Sequence, residues 1–157
     1  DTRNFMNRTG VRTFEAAAYL RRCGADITRV RKMFRDDIES YRAKAEAVRM
    51  AEVYRKQYAI AQCPSDIDSP TVLAAQAANE LLDISGIKAS FVLTIYEGKI
   101  YMSARSIDEV NVQIIAEKLG GGGHINSAGA QFDHTNMDEA IKTLKQTIDQ
   151  MIEEGDI

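Results

Sequence analysis

Cysteine and histidine are scarce in this chain, and their scarcity limits its covalent and metal chemistry. The 157 residues include two histidines and two cysteines, Cys23 and Cys63, which form no CxxC pair. Without a CxxC pair the two cysteines indicate neither a disulfide framework nor a zinc knuckle, and a four-ligand zinc site would have to use every histidine and cysteine of the chain. We therefore expect two buried free thiols in a reducing cytoplasm, and no zinc site made by this chain alone.

Long hydrophobic runs are absent as well. No apolar stretch approaches the ~20 residues that a membrane-spanning helix needs, so we expect this segment to be cytoplasmic and to make no direct membrane contact. The composition, 45% hydrophobic and 27% charged, is typical of a globular protein of about one domain.

Charge is distributed unevenly along the chain. Residues 1–56 contain 14 Lys and Arg against 8 Asp and Glu, whereas residues 57–157 contain 6 against 15. The first region is therefore net positive and the second net negative, although the whole chain carries only −3. This asymmetry indicates two regions with different surfaces, and we place their boundary between residues 56 and 57.

Hydrophobic periodicity predicts helices in the first region and a mixture of helices and strands in the second. The predicted helices cover residues 13–23, 27–34, 37–54, 70–83, 109–119 and a last segment from 135, with Asp108 and Thr135 as caps of the last two. The predicted strands cover residues 58–63, 91–96, 100–105 and 130–132, the second and third forming a hairpin. The expected fold is α/β: a helical N-terminal segment, then a compact domain with a small mixed sheet flanked by helices.

The stretch KLGGGGHINSAGA, residues 118–130, is the most unusual one in the chain. One glycine after a helix is an ordinary C-cap, but a run of glycines can turn several backbone N–H groups toward one anion. His124 adds a side-chain donor at the edge of such a nest, and the small residues after it allow a ligand to approach closely. The run is Gly120, Gly121, Gly122 and Gly123, and the small residues are Ser127, Ala128 and Gly129.

The strand before this motif carries a second phosphate-binding signal. Alternation along residues 100–105 places Tyr101, Ser103 and Arg105 on one face, with Ser106 just beyond. Arginine is the side chain best suited to bidentate phosphate binding. Each feature alone has an ordinary explanation, as a flexible loop, a surface charge or a polar loop histidine. Together they favour a phosphate or nucleotide site.

These residues resemble a known family. GGGGH followed by SAGA, together with SARS at residues 103–106, is similar to the DHH-associated substrate-binding domain, which follows the catalytic domain in the DHH phosphoesterases. The opening DTRNF, then RTG and RTF, resembles the last catalytic motif of the DHH domain. Many relatives have Asp-Thr-Gly at this motif. A motif with arginine at its third position, as at Arg3, resembles the membrane-anchored GdpP (YybT) type, whose activity is hydrolysis of cyclic di-AMP to pApA.

The resemblance implies roles for individual residues. Asp1 corresponds to the last carboxylate ligand of a two-manganese centre. Residues 120–124 and 127–129 correspond to the substrate-binding signature and residues 103, 105 and 106 to its strand partner, and we expect Arg105 and His124 to contact phosphate. The Asp-His-His triplet is missing, because Asp133-His134 is followed by Thr135. The expected protein is therefore the substrate-binding part of a manganese-dependent phosphodiesterase, with residues 1–56 as the end of the catalytic domain plus a linker helix. It would be inactive alone, bind cyclic di-AMP or a short adenine dinucleotide, and work with a catalytic domain in cis in a membrane-anchored parent.

Two alternatives stay open. Similar domains bind single-stranded nucleic acid in DHH-type exonucleases and nanoRNases, although the acidic surplus of residues 57–157 favours a small ligand over a long strand. The chain could also be a structural or dimerisation module, since parent proteins of this class often pair as homodimers.

Overall fold

A computed structural model describes residues 2, 4–5 and 8–157, and the chain divides into two compact units, one up to residue 37 and one from residue 38 to 157. By its contacts, the helix that begins at Ile38 belongs to the second unit. The assignment of residues 1–56 to the end of a catalytic domain and a linker concerns the parent protein, and it stays a prediction.

The first unit contains the two helices that the periodicity predicted, α1 (Val11–Arg22) and α2 (Ile27–Met33). Asp26 caps α2 by accepting a hydrogen bond from the backbone N–H of Thr28 at 2.8 Å. The prediction that both cysteines are buried is wrong for Cys23, which is exposed just after α1, whereas Cys63 is buried in the second unit. Neither helix of this unit contains a buried residue. Cys23 therefore has no buried side chain of these two helices to pack against.

The second unit is one six-stranded sheet with helices on both faces. Its order along the chain is α3 (Ile38–Arg49), β1 (Glu52–Tyr54), β2 (Tyr58–Gln62), α4 (Pro70–Leu82), β3 (Ala89–Tyr96), β4 (Lys99–Ser106), α5 (Val112–Lys118), β5 (Gly122–His124), β6 (Ser127–Phe132) and α6 (Met137–Glu154). The strand order is β1-β2-β3-β4-β6-β5. β2 and β3 run parallel, joined through α4, and the other neighbours are antiparallel. The predicted α/β class and mixed sheet are confirmed.

The predicted helix over residues 37–54 is wrong at its C-terminal end. α3 stops at Arg49, and residues 52–54 form the edge strand β1, paired with β2. Long-range contacts hold β1 in place: the Tyr54 hydroxyl donates to Asp149 of α6 at 2.7 Å, and Lys145 of α6 pairs with Glu52 at 2.7 Å. A local helical period does not reveal such partners.

Two predicted helix caps are also wrong, and in both cases an asparagine caps the helix. α5 begins at Val112 because the Asn111 side chain accepts from the N–H of Gln113 at 3.1 Å. α6 begins at Met137 because Asn136 accepts from the N–H of Glu139 at 2.9 Å. Both asparagines satisfy backbone donors that the first helical turn leaves without partners.

The helices cover the two faces of the sheet to different extents. On one face, α5 and α6 pack against inward residues of β2, β3, β4 and β6. This core includes Phe91 and Met102 of the strands and Ile115 and Leu144 of the helices. On the other face, α3 and α4 pack on Ala59, Ala61 and Val92 of β2 and β3. Within the described residues, this second apolar cluster includes no member of β4, β5 or β6, although α4 also runs close to β4. The surface of β4, β5 and β6 on that side, partly covered by α4 along β4, is called the open face below.

Within the described ranges, no helix is both long enough and apolar enough to cross a membrane.

Candidate functional site

Three polar side chains lie in one row across the open face. Arg105 of β4 is directly opposite Ser127 of β6, and Ser127 is directly opposite His124 of β5. Residues directly opposite in antiparallel strands point to the same side of a sheet. Arg105 and Ser127 are half-buried and His124 is exposed. These three residues, called the phosphate row, place a guanidinium, a hydroxyl and an imidazole side by side.

Two further rows follow along the strands. The next row contains Ser103, Gly129 and Gly122, which also lie opposite one another on β4, β6 and β5. These three small residues are called the middle row. Beyond it, Tyr101 lies opposite Gln131. The opposite-facing residues of β4 alternate with these and are buried, so the strand pattern itself defines the open face.

Arg105 is held close to its own strand. Its Nη1 donates to the carbonyl oxygen of Ala104 at 2.8 Å, and the residue takes part in a further interaction. The guanidinium is thus positioned by the protein before any ligand is present. Such preorganisation lowers the entropic cost of binding an anion.

The predicted amide nest is wrong for the first two glycines. The N–H of Gly120 donates to the carbonyl of Glu117 at 3.0 Å, and the N–H of Gly121 donates to that of Ala116 at 2.8 Å. Both amides therefore satisfy carbonyls at the C-terminus of α5, and Gly120 has the left-handed φ of 79° that such a cap favours. Within the motif, Gly122–His124 form the strand β5, and one side of this strand is part of the open face.

Close contact with β6 explains two of the glycines. A Cβ on Gly121 would collide with the backbone of Gly129 and Ala130. A Cβ on Gly123 would lie 2.5 Å from the Cα of Ala128, and φ at this position is 148°. Gly122 differs, because a Cβ there meets nothing within 4 Å. The fold therefore does not require Gly122 to be glycine.

Two predicted site residues lie on the other side of the sheet. Ala128 is buried in the core under α5 and α6. Ser106 is buried too, and its hydroxyl donates to the carbonyl of Ile125 at 3.2 Å. Ser106 therefore supports the β5–β6 turn rather than the open face, because alternation along β4 turns it away from Arg105.

Asn126, which sequence reasoning missed, holds the same turn. Its Nδ2 donates to Asp108 at 2.6 Å, and its Oδ1 accepts from the N–H of Asp108 at 3.3 Å. The neighbouring carbonyl of Ile125 accepts from the N–H of Val112 in the first turn of α5 at 3.0 Å. The turn that places His124 opposite Ser127 is thus fastened to α5. An asparagine inside a two-residue hairpin turn is the signal that could have found it.

A cleft elsewhere in the second unit is lined by none of the predicted site residues. It has a volume of about 400 Å³ and lies beside β2, where its lining includes Glu46, Met50, Gln62 and Ile141. Six of the predicted residues lie instead on the open face: Ser103, Arg105, Gly122, His124, Ser127 and Gly129.

The residues that the structure describes do not fit a two-metal centre. Asp1, the predicted ligand, lies outside the described residues. Across residues 2, 4–5 and 8–157, no group of three or more His, Cys, Asp or Glu side chains is placed to hold a metal ion. Two-metal catalysis needs several such ligands around ions roughly 4 Å apart. The described residues alone therefore do not supply that set of ligands.

The sequence places this arrangement in a family. Residues 55–150 match the DHHA1 domain. The chain belongs to the DHHA1 domain family. Its sequence is 45% identical over 150 residues to the cyclic-di-AMP phosphodiesterase PdeA of Listeria monocytogenes, covering 95% of this chain and 23% of that protein. It is 42% identical over 158 residues to the cyclic-di-AMP phosphodiesterase GdpP of Bacillus subtilis, covering 99% of this chain and 24% of that protein.

The fold has a solved counterpart. An exopolyphosphatase-related protein of Bacteroides fragilis superposes with a TM-score of 0.83 at 21% identity, covering 96% of this chain and 46% of that one. At that identity the likeness concerns the fold. This DHHA1-family chain thus spans about a quarter of the length of the curated relatives it matches, and the family resemblance expected from GGGGH and SARS is confirmed.

Proposed function

We propose that this chain is the substrate-binding part of a DHH-type phosphodiesterase and binds a phosphate of cyclic di-AMP, or of a short adenine dinucleotide, at the phosphate row. The observation that carries the proposal is the alignment of Arg105, Ser127 and His124 in one row across three strands. The names of the relatives support the substrate class, since both are cyclic-di-AMP phosphodiesterases.

Each side chain of the row has a definite task in this proposal. The Arg105 guanidinium donates charge-assisted hydrogen bonds to phosphate oxygens, which are the stronger kind. The Ser127 hydroxyl and a ring N–H of His124 donate to the same group from the neighbouring strands. Gly122 lets the sugar–phosphate backbone approach the sheet closely. The row fixes the position and orientation of the phosphodiester, which is the contribution of a binding domain to catalysis.

Bond breaking belongs, in this proposal, to another part of a longer protein. The catalytic part in cis would hold the manganese ions, and the parent would be anchored in the bacterial membrane. This chain alone is then expected to show no hydrolysis. Its acidic second region also argues for a dinucleotide over a long strand, because extended single strands prefer a basic groove.

Calorimetric titration tests the proposal directly. The ligands are cyclic di-AMP, pApA and a single-stranded oligonucleotide, each at low and high salt. We expect Arg105→Ala and His124→Ala to weaken dinucleotide binding. A matched control is His134→Asn, which changes the other histidine, outside the row, to a residue that tolerates its φ of 57°.

Three outcomes are decisive. Loss of dinucleotide binding in the two row variants, with the control unchanged, supports the proposal. Preference for the oligonucleotide with a steep salt dependence supports a nucleic-acid module instead. Undiminished binding in Arg105→Ala and His124→Ala places the ligand elsewhere and overturns the proposal.

A further inference from the structure

The third row of the open face carries an aromatic ring and an amide side by side. Tyr101 of β4 and Gln131 of β6 are directly opposite and both half-buried. They lie four residues along their strands from Arg105 and Ser127. At 3.4 Å per residue that is roughly 14 Å, a distance that a dinucleotide bridges and a lone phosphate does not. Between the two ends lies the middle row, with its two glycines.

The Tyr101 ring is braced from one side. Tyr96 of β3 packs against it edge-on, with ring centroids 6.1 Å apart and planes inclined at 61°. Such T-shaped pairs are stabilising in their own right. A ring that its neighbour already holds loses little conformational freedom when a base stacks on it, which favours its use as a stacking platform.

Gln131 is oriented by a charged neighbour. Its Nε2 donates to Asp133 at 2.9 Å, and Asp133 also pairs with Lys99 at 3.3 Å. An aspartate carboxyl is ionised near neutral pH. An ionised carboxylate only accepts hydrogen bonds, so the amide nitrogen of Gln131 must face Asp133.

This orientation leaves a defined pair of hydrogen-bonding groups. Within the part of the chain that the structure describes, the Gln131 carbonyl oxygen and second N–H take no partner. One acceptor beside one donor complements the N6–H and N7 edge of adenine. The same edge of guanine offers two acceptors, O6 and N7, and cannot satisfy the amide oxygen.

We propose that Tyr101 and Gln131 form a base subsite, in which Tyr101 stacks on an adenine and Gln131 reads its N6–H and N7 edge. This proposal rests on the proposed function, because it places the phosphate of the same dinucleotide at Arg105, Ser127 and His124. Gln131 is then a specificity-determining residue and Tyr101 a binding residue.

The test titrates pApA and pGpG into the wild-type chain and into matched variants. Tyr101→Leu removes the ring, and Tyr101→Phe restores it without the hydroxyl. Gln131→Leu removes the amide at nearly constant volume. The controls are Tyr41→Leu on α3 and Gln146→Leu on α6, both at exposed positions away from the open face. Circular dichroism confirms that each variant is folded.

The expected results are quantitative. Tyr101→Leu weakens pApA binding by about 5- to 100-fold, and Tyr101→Phe regains most of it, as for a stacked base. Wild type prefers pApA over pGpG, and Gln131→Leu reduces that preference by about 5- to 100-fold, as for a bidentate base contact. The two controls bind like the wild type.

The contrary outcomes separate the two proposals. If Arg105→Ala abolishes binding while Tyr101→Leu or Gln131→Leu behaves like wild type, the base subsite is wrong and the phosphate row stands. A wild-type preference for pGpG also overturns the base subsite. If the wild-type chain binds neither dinucleotide, both proposals are overturned.

Discussion

Arg105 and His124 lie in one row of the open sheet face, separated only by Ser127. They are 19 positions apart in the sequence, and α5 together with the β5–β6 hairpin brings them together. The row therefore depends on the register of β5 against β6. A slip of one residue would turn His124 to the other face.

Gly122 and Gly123 are adjacent glycines with opposite expected responses to alanine. Gly123→Ala should lower the free energy of unfolding by about 1–3 kcal/mol, as overpacking does, because its Cβ would lie 2.5 Å from Ala128 at a φ of 148°. Gly122→Ala should leave the melting temperature unchanged or higher, since nothing lies within 4 Å of its Cβ. It should nevertheless weaken dinucleotide binding by about 10-fold, because a methyl group fills the middle row.

Thermal melts and titrations on the two variants check this pair. A strongly destabilised Gly122→Ala variant would show that the fold requires this glycine. Unchanged dinucleotide binding in a stable Gly122→Ala variant would show that no ligand approaches it.

Asn126 should support binding through the turn that it holds. Asn126→Ala removes the hydrogen bonds to Asp108 and should lower the free energy of unfolding by about 1 kcal/mol. Dinucleotide affinity should also fall, because the turn sets the positions of His124 and Ser127. Denaturant unfolding and calorimetry measure the two effects, with Asn79→Ala on α4 as the control. Full affinity in Asn126→Ala would mean that the turn does not position the row.

The contact between β1 and α6 should depend on pH. The hydrogen bond from Arg55 at 2.9 Å and then that from Tyr54 lower the pKa of Asp149 below its ordinary value. A carboxyl with a lowered folded-state pKa stabilises the fold above its unfolded-state pKa, and this contribution is lost as the pH falls through the folded-state value. The stability difference between wild type and Asp149→Asn should therefore be largest near neutral pH and shrink in acid.

Denaturant unfolding of both proteins from pH 7 to pH 3 measures that difference. Asp66→Asn, an exposed loop position, is the control for general charge effects. A difference that stays constant or grows in acid contradicts the role given to Asp149.

The two cysteines should react at different rates. Cys63 is buried, and burial raises the pKa of its thiol to about 11, whereas Cys23 is exposed. The thiolate is the reactive form, so iodoacetamide near pH 8 should modify Cys23 first and Cys63 only on unfolding. Mass spectrometry of peptides from a time course shows the order. Equal rates in the folded protein would contradict the burial of Cys63.

The sequence predicted the parts of this site that follow from local rules. Alternation along β4 placed Ser103 and Arg105 on one face, and the structure has them there. Local rules also predicted the helix over residues 70–83, which is α4. These features depend on periods of two or 3.6 residues, which a single segment displays.

The remaining parts depend on partners that are distant in the chain. The glycine amides were expected to bind an anion, but the C-terminus of α5 uses those of Gly120 and Gly121. β1 forms because β2 and α6 supply its contacts. Gln131 acquires a place beside Tyr101 only through the register of β6 against β4. No local sequence pattern contains these pairings. Local patterns therefore predicted several residues of the site, but not the strand pairings that bring them together.

The most direct test of the phosphate row is a map of backbone amide NMR shifts during titration with pApA. We expect the largest changes at Arg105, Gly122, His124 and Ser127, and little change at Leu144 and Ile148, which pack under the opposite face. Shifts concentrated on α5 and α6, or around the cleft beside β2, with the row unmoved, would contradict the account.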